Sequence, residues 1–220
     1  LRKLNRLDEA EISYEQAIIV KPDYAEAHND LGVTLKDLGK LAEAEASYRK
    51  AIEITPDYPE AHYNLGITLH DLGRLRDAES SYRHAITLKP GYSEAHNNLG
   101  LMLKRLHRYQ EAISHFDLAN NPMAVPESLE CLYITENYDL VLKRLNKFSK
   151  SKGTNIGVAA ISAFVSHQLK TQDPYEFCKK PLDYISVSNA REFEGNAHDL
   201  IKDILAESGT YQLNWESRTT

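Results

Sequence analysis

In PEAHYNLGITLHDLGRLRDAESSYRHAITLKPGY, residues 59–92, small residues and aromatics stand at places that recur along the chain. Leu65-Gly66 is preceded by Leu31-Gly32 and followed by Leu99-Gly100, at a constant interval of 34 residues. Other positions hold the same phase: Ala44, Ala78 and Ala112; Tyr48, Tyr82 and Phe116; Ala51, Ala85 and Ala119; Pro22, Pro56 and Pro90. A period of this length held at several positions marks supersecondary units that stack to bury a continuous core. Run backwards, the register puts Ala10, Tyr14 and Ala17 in a copy whose first helix would precede Leu1, so the chain is expected to enter part-way through a repeat.

Each phased residue type has a physical reason. Gly32, Gly66 and Gly100 fall mid-helix, where Gly costs about 1 kcal/mol relative to Ala. Their recurrence predicts that backbones approach closely there. Ala44, Ala78 and Ala112 are expected to serve the facing helix in the same way. Tyr48, Tyr82 and Phe116 are expected to fill the space between one helix pair and the next. Gly39 and Gly73 fall between the two helices of their repeats, where a left-handed residue relieves the last carbonyls, and Asn5 and His107 share that phase. Pro22, Pro56 and Pro90 stop each second helix. Asp23 with Glu26, and Asp57 with Glu60, read as N-cap and reciprocal Glu of the next helix, with Gly91 and Glu94 a weaker third copy.

Leu at the seventh place of the unit, Gly at the eighth, Ala at the twentieth, an aromatic at the twenty-fourth, Ala at the twenty-seventh and Pro at the thirty-second resemble the tetratricopeptide repeat over about residues 1–122. Two departures are regular: His28, His62 and His96 replace the usual aromatic at the fourth place, and Leu35, Leu69 and Leu103 replace Tyr at the eleventh. In this respect the copies look most like the repeats fused to N-acetylglucosaminyl transferases. The resemblance implies an all-α fold, a right-handed superhelix of helix-turn-helix units. It divides the chain into a truncated repeat at 1–24, repeats at 25–58, 59–92 and 93–126, a divergent helical repeat or cap at 127–170, and an extended segment, a helix and the start of a further domain at 171–220.

In such a stack the first helices line the concave surface, presenting the second, fifth, sixth, ninth, twelfth and thirteenth places of each unit. Asn29, Asp30, Lys36, Tyr63, Asn64, His70, Asn97, Asn98 and Lys104 are the residues expected to meet a ligand there. Asn64 and Asn98, with Asp30 one unit earlier, form a polar ladder, and an amide both donates to and accepts from a peptide backbone. Family members that clamp a terminal carboxylate place Lys and Arg at the second, fifth and sixth places. Here the second place is Glu throughout.

Chemistry of other kinds finds little footing. His28, His62 and His96 would lie roughly 10 Å apart along the stack, too far for ligands each about 2 Å from one zinc. They read as packing residues. His115-Phe116-Asp117 has the His-x-Asp form of half an iron site, but Phe116 is the phased core aromatic. No catalytic residue, metal site or cofactor is expected. A net charge of −6, with one basic cluster from Lys143 to Lys152 broken by Leu145 and Phe148, argues against nucleic acid. No apolar run reaches a membrane span, and Cys131 and Cys178 form no paired spacing, so a cytoplasmic, reducing location is expected.

After Pro122 the register breaks. Pro126 opens an expected helical pair at 127–136 and 138–149, and 154–170 gives a further helix with Val158, Ile161, Phe164, Val165 and Leu169 on its apolar side. Residues 173–185 are rich in Pro and aromatics and read as extended, 195–207 as a helix, and 211–215 as a strand. The pattern over 127–220 resembles bacterial proteins in which these repeats precede a 2-oxoglutarate and iron(II) dependent oxygenase. The implied alternative function is a substrate-recruiting arm for such an enzyme, whose catalytic barrel would lie beyond Thr220. The leading expectation is a scaffold that binds an extended peptide or partner protein. Self-association through exposed terminal repeats is a third expectation.

Overall fold

The computed structural model describes residues 6–149 and 156–170. Its elements are α1 (Leu7–Val20), α2 (Ala25–Asp37), α3 (Leu41–Ile54), α4 (Pro59–Asp71), α5 (Leu75–Leu88), α6 (Ser93–Arg105), α7 (Tyr109–Ala119), α8 (Ala124–Ile134), α9 (Tyr138–Ser149) and α10 (Ile156–Leu169). The fold is all-α helical repeat, and the described residues contain no strand. They separate into two compact units, one ending at Leu106 and the other beginning at His107. The expected extended segment, helix and strand after residue 171 lie outside the described residues, as does Asn5.

In the first unit each helix packs chiefly on its neighbours in sequence, α1 on α2, α2 on α3, α3 on α4, α4 on α5 and α5 on α6. Ala44, Ala51, Ala78 and Ala85 are fully buried, and Tyr48 and Tyr82 nearly so. The glycines sit against those tyrosines. A Cβ added at Gly32 would stand 2.7 Å from Cε1 of Tyr48, and one at Gly66 would stand 2.7 Å from Cδ1 and Cε1 of Tyr82. The sequence expectation of backbone meeting backbone is therefore corrected. Each glycine makes room for the aromatic ring of the second helix of its own repeat, so the ring closes a helix pair as well as filling core.

The turns follow the expected chemistry, with Gly39 at φ +78°, Gly73 at +76° and His107, in the same phase, at +58°. Helix starts do not. The N-caps of α2, α4 and α6 are Tyr24, Tyr58 and Tyr92, none with a side-chain capping bond, so Asp23 and Asp57 stand one residue too early to cap. Main chain closes these turns instead, through Tyr24 N–H to the Lys21 carbonyl at 3.2 Å and Tyr92 N–H to the Lys89 carbonyl at 2.9 Å. Pro59 at the first helical position of α4 needs no donor.

The phased histidines fasten each turn to the helix after it. Nε2 donates to the carbonyl of the helix-stopping proline in all three copies, His28 to Pro22 at 3.0 Å, His62 to Pro56 at 2.9 Å and His96 to Pro90 at 3.0 Å. A carbonyl that would otherwise be short of a donor is satisfied by a ring that also packs. The His62 and His84 rings lie 4.2 Å apart.

In the second unit α7 packs on α8, α8 on α9, and α10 on α8 and α9. The helix expected at 127 begins earlier, at Ala124, whose N–H is held by Oδ1 of Asn121 at 2.9 Å. Pro126 then lies within the first turn, where helical donors are unused. Val158, Ile161, Phe164 and Val165 of α10 are buried as their spacing predicted. Arg144 of α9 grips Asp117 of α7 with both terminal nitrogens at 2.6 and 2.7 Å, and Ser128 of α8 at 2.6 Å, tying three helices together.

Two outcomes follow from this packing. Gly66→Ala should cost about 1–3 kcal/mol through overpacking against Tyr82, read as a lowered urea midpoint. Gly66→Ala/Tyr82→Leu should recover part of that loss, because the clash is with the ring. Burial holds the His62 imidazole below its ordinary value, and the adjacent His84 acts in the same direction, against the opposing Pro56 carbonyl and Asp57. The unfolded chain therefore takes up this proton first as pH falls. The stability carried by the neutral ring is complete above about pH 6.5 and is lost as pH drops through the folded value. Urea titrations should show wild type losing more stability than His62→Gln on acidification through that range, and parallel curves would contradict the assignment.

Candidate functional site

The first helices of the unit, α2, α4 and α6, share one face, and polar side chains meet along it. Nδ2 of Asn64 donates to Oδ1 of Asn29 at 2.9 Å, and Nδ2 of Asn98 donates to the Tyr63 hydroxyl at 3.1 Å. Both bonds span 35 residues, one more than the repeat, so the sixth place of one copy reaches back to the fifth place of the copy before. The sixth-place amides are thus joined not to one another but to fifth-place groups of the preceding copy. Asn29 also donates to Asp30 at 3.4 Å. Asn29 is only 6% exposed and its amide is occupied on both sides, so it supports Asn64 rather than facing solvent.

Asn64 and Asn98 are half-buried; Asn64 keeps its carbonyl oxygen and a second amide hydrogen outside the rung, whereas the Asn98 amide also bonds the Tyr82 hydroxyl and keeps its carbonyl oxygen. Tyr63 stands against Tyr92 with ring centroids 4.9 Å apart and against Tyr82 at 6.0 Å. Burial raises the Tyr63 hydroxyl above the ordinary tyrosine value, Glu94 adds to this, and the Asn98 bond opposes it. The hydroxyl stays protonated and can still donate. Asn97 is half-buried, and its Oδ1 has no hydrogen-bond partner among the described residues.

Beyond the rungs runs a half-buried apolar row of Val33, Ile67 and Leu101, and then a charged row. Lys36 lies 3.8 Å from Asp37. His70 receives a bond from Arg105 on Nε2 at 3.2 Å and directs Nδ1 to Asp71 at 3.4 Å, again linking two copies across 35 residues. Lys104 is half-buried in the same row. Arg105 holds the thirteenth place that the sequence assigns to this face, whereas the repeat phase does not mark Tyr82 and Tyr92, which stand behind Tyr63, as part of it. Phase assigns Tyr82 to the core, and the stagger that brings Arg105 to His70 is a property of helix packing.

No group of three or more candidate ligands could hold a metal among the described residues. Asp117 of the His-x-Asp match is held by Arg144, and this same Arg144 belongs to the basic cluster noted in the sequence. No described helix is long and apolar enough to cross a membrane.

A family profile described as TPR repeat matches residues 1–39 and 34–73, and one described as tetratricopeptide repeat matches residues 63–122. No curated protein matches the chain by sequence. Among solved structures, one titled a functional characterization of Pseudomonas aeruginosa pilF has a TM-score of 0.67 at 20% identity, over 93% of this chain and 91% of that one. A structure of YrrB, described as a TPR protein with an unusual peptide-binding site, has a TM-score of 0.62 at 17% identity, over 74% and 87% of the two chains. MamA follows at a TM-score of 0.60 and 22% identity, over 64% and 86%. At these identities the likeness is one of fold.

If the rungs hold neighbouring copies together, a double-mutant cycle across Tyr63→Phe and Asn98→Ala should give a coupling of about 1 kcal/mol. Additive losses in urea unfolding would show that the 3.1 Å contact contributes nothing to the stack.

Proposed function

The chain belongs to the tetratricopeptide repeat family through residues 1–122, and from that premise we propose that the face of α2, α4 and α6 is a groove holding an extended peptide or a partner protein. The protein is read as a binding scaffold. The observation that carries the reading is the pair of rungs, Asn64 on Asn29 and Asn98 on Tyr63. Each rung fixes a side-chain amide: Asn64 keeps one donor and one acceptor for a guest backbone, and Asn98, which bonds both Tyr63 and Tyr82, keeps its acceptor. Amides already held in place lose less freedom on binding, which is how preorganisation strengthens a weak polar contact.

Roles can be divided among the residues. Asn64 and Asn98 bond the guest backbone, and Asn29 and Tyr63 hold them in register. Asn97 continues the row at its far end. Asp30, Lys36, His70 and Lys104 set the charge that guest side chains meet. Val33, Ile67 and Leu101 supply an apolar strip against which alternate side chains of an extended strand can pack. YrrB is described as having an unusual peptide-binding site, and a peptide ligand for the present chain is in keeping with that description.

An array of randomised decapeptides probed with wild type and with Asn64→Ala/Asn98→Ala tests the assignment. At about 1 kcal/mol per lost hydrogen bond, the double variant should bind captured peptides roughly thirty-fold more weakly, with helix content unchanged by circular dichroism. Equal binding by the two proteins would remove the ladder from the mechanism.

A further inference from the structure

One repeat carries an internal cation that its neighbour lacks. Lys89, at the end of α5, places Nζ 3.1 Å from Oε1 of Glu60 and 4.4 Å from the centre of the Tyr92 ring. The ammonium thus neutralises a carboxylate and covers an aromatic face together, a pairing in which each contact reinforces the other. Lys21 stands over Tyr24 at 5.0 Å in the same phase. Between these copies the phase falls on Thr55, with Glu26 in the place of Glu60 and Tyr58 in the place of Tyr92. The frame is repeated there, and its cation is not.

The surroundings of Tyr58 fit a vacant seat. Tyr92 is 8% exposed, packed by Tyr63 and covered by Lys89, whereas Tyr58 is half-exposed and the phase-mate of Tyr63 is Asn29. Glu26 is exposed, and neither it nor Asp30 enters an ion pair among the described residues. Burial raises the Tyr58 hydroxyl above the ordinary value, and the charges of Asp30, Glu26 and Glu60 act in the same direction, in that order. Glu60 is already answered by Lys89, which leaves Asp30 and Glu26 as the carboxylates without a counter-charge.

We propose that Glu26, Asp30 and the Tyr58 ring form a seat for a lysine or arginine side chain of the partner. The inference rests on the groove reading above and gives that partner a chemical character: an extended segment with a basic residue that enters between α2 and α4. Lys89 shows how the seat is filled, since an ammonium lodged on Glu60 and Tyr92 is the intramolecular form of the contact.

Fluorescence anisotropy with a labelled octapeptide of alternating Gly and Arg, and with its uncharged citrulline counterpart, tests this on the full chain. Wild type should bind the Arg peptide at least tenfold more tightly than the citrulline one. Thr55→Lys, which supplies the seat with its own ammonium, should weaken the Arg peptide about tenfold, and Glu26→Gln should weaken it severalfold. Thr87→Lys, the same charge on the exposed side of α5, should leave it unchanged. The seat is overturned if the Arg peptide fails to bind wild type, if citrulline binds as well, if Thr55→Lys and Glu26→Gln are both without effect, or if Thr87→Lys weakens binding equally. Loss of citrulline-peptide binding in Asn64→Ala/Asn98→Ala, beside unchanged Arg-peptide binding in Thr55→Lys, would retain the groove and discard the seat.

Discussion

A tyrosine ring of the second helix rests on bare glycine backbone of the first, and the remainder of the repeat depends on that contact. Tyr48 on Gly32 and Tyr82 on Gly66 leave no room for even one methyl group. The aromatic ring is large enough to contribute about 2–3 kcal/mol by burial, more than the roughly 1 kcal/mol that a mid-helix glycine costs. Once the ring is seated, the spacing between the two helices of a pair is set. Ala44, Ala51, Ala78 and Ala85 then follow as the residues small enough for the helices that press in around it.

A fixed period turns any contact between copies into a row of contacts. On the face of the first helices the interval is 35 residues, in the Asn64–Asn29, Asn98–Tyr63 and Arg105–His70 pairs. Elsewhere it is 29, with Lys40 on Glu11 and Arg74 on Glu45. The copies share a frame and differ in what occupies it. Where one rung ends on Asn29 another ends on Tyr63, and where one copy carries Lys89 another carries Thr55. Architecture therefore sits in the phased positions, and the departures from phase are what make one copy chemically unlike the next.

Much of the frame was legible before any coordinates, because a repeat broadcasts its geometry through self-similarity. The turn residues Gly39, Gly73 and His107 and the buried alanines follow from local steric rules, and the period of α10 puts Val158, Ile161, Phe164 and Val165 in the core, while Leu169 at its end stays half-exposed. The misreadings share a cause as well. The spacing of Asp23 and Asp57 to Glu26 and Glu60 suits a capping box, but the helices start one residue later, with Tyr24 and Tyr58 as N-caps. Boundaries of this kind are decided by main-chain turns that carry no side-chain signature. The rungs were visible as a row of amides but not as bonds, since a 35-residue offset requires the stagger between helices, which periodicity alone does not supply.

The histidines show how a departure from the family pattern can be structural and still bear on binding. An aromatic at the fourth place would fill space. His28, His62 and His96 fill it and also donate to the carbonyl of the proline that stops the preceding helix. That proline lies two residues before the tyrosine N-cap, so the bond ties the turn to the first helix at the place where Tyr58 and Tyr92 are displayed. The rims of the face are thereby held by hydrogen bonds that do not involve the ladder. The Tyr92 ring, in turn, leans on Tyr63 of the second rung at 4.9 Å. The ladder and the seat meet at one point, where the Asn29 amide of the first rung donates to Asp30 at 3.4 Å, so a substitution within that rung reaches the carboxylate beside it.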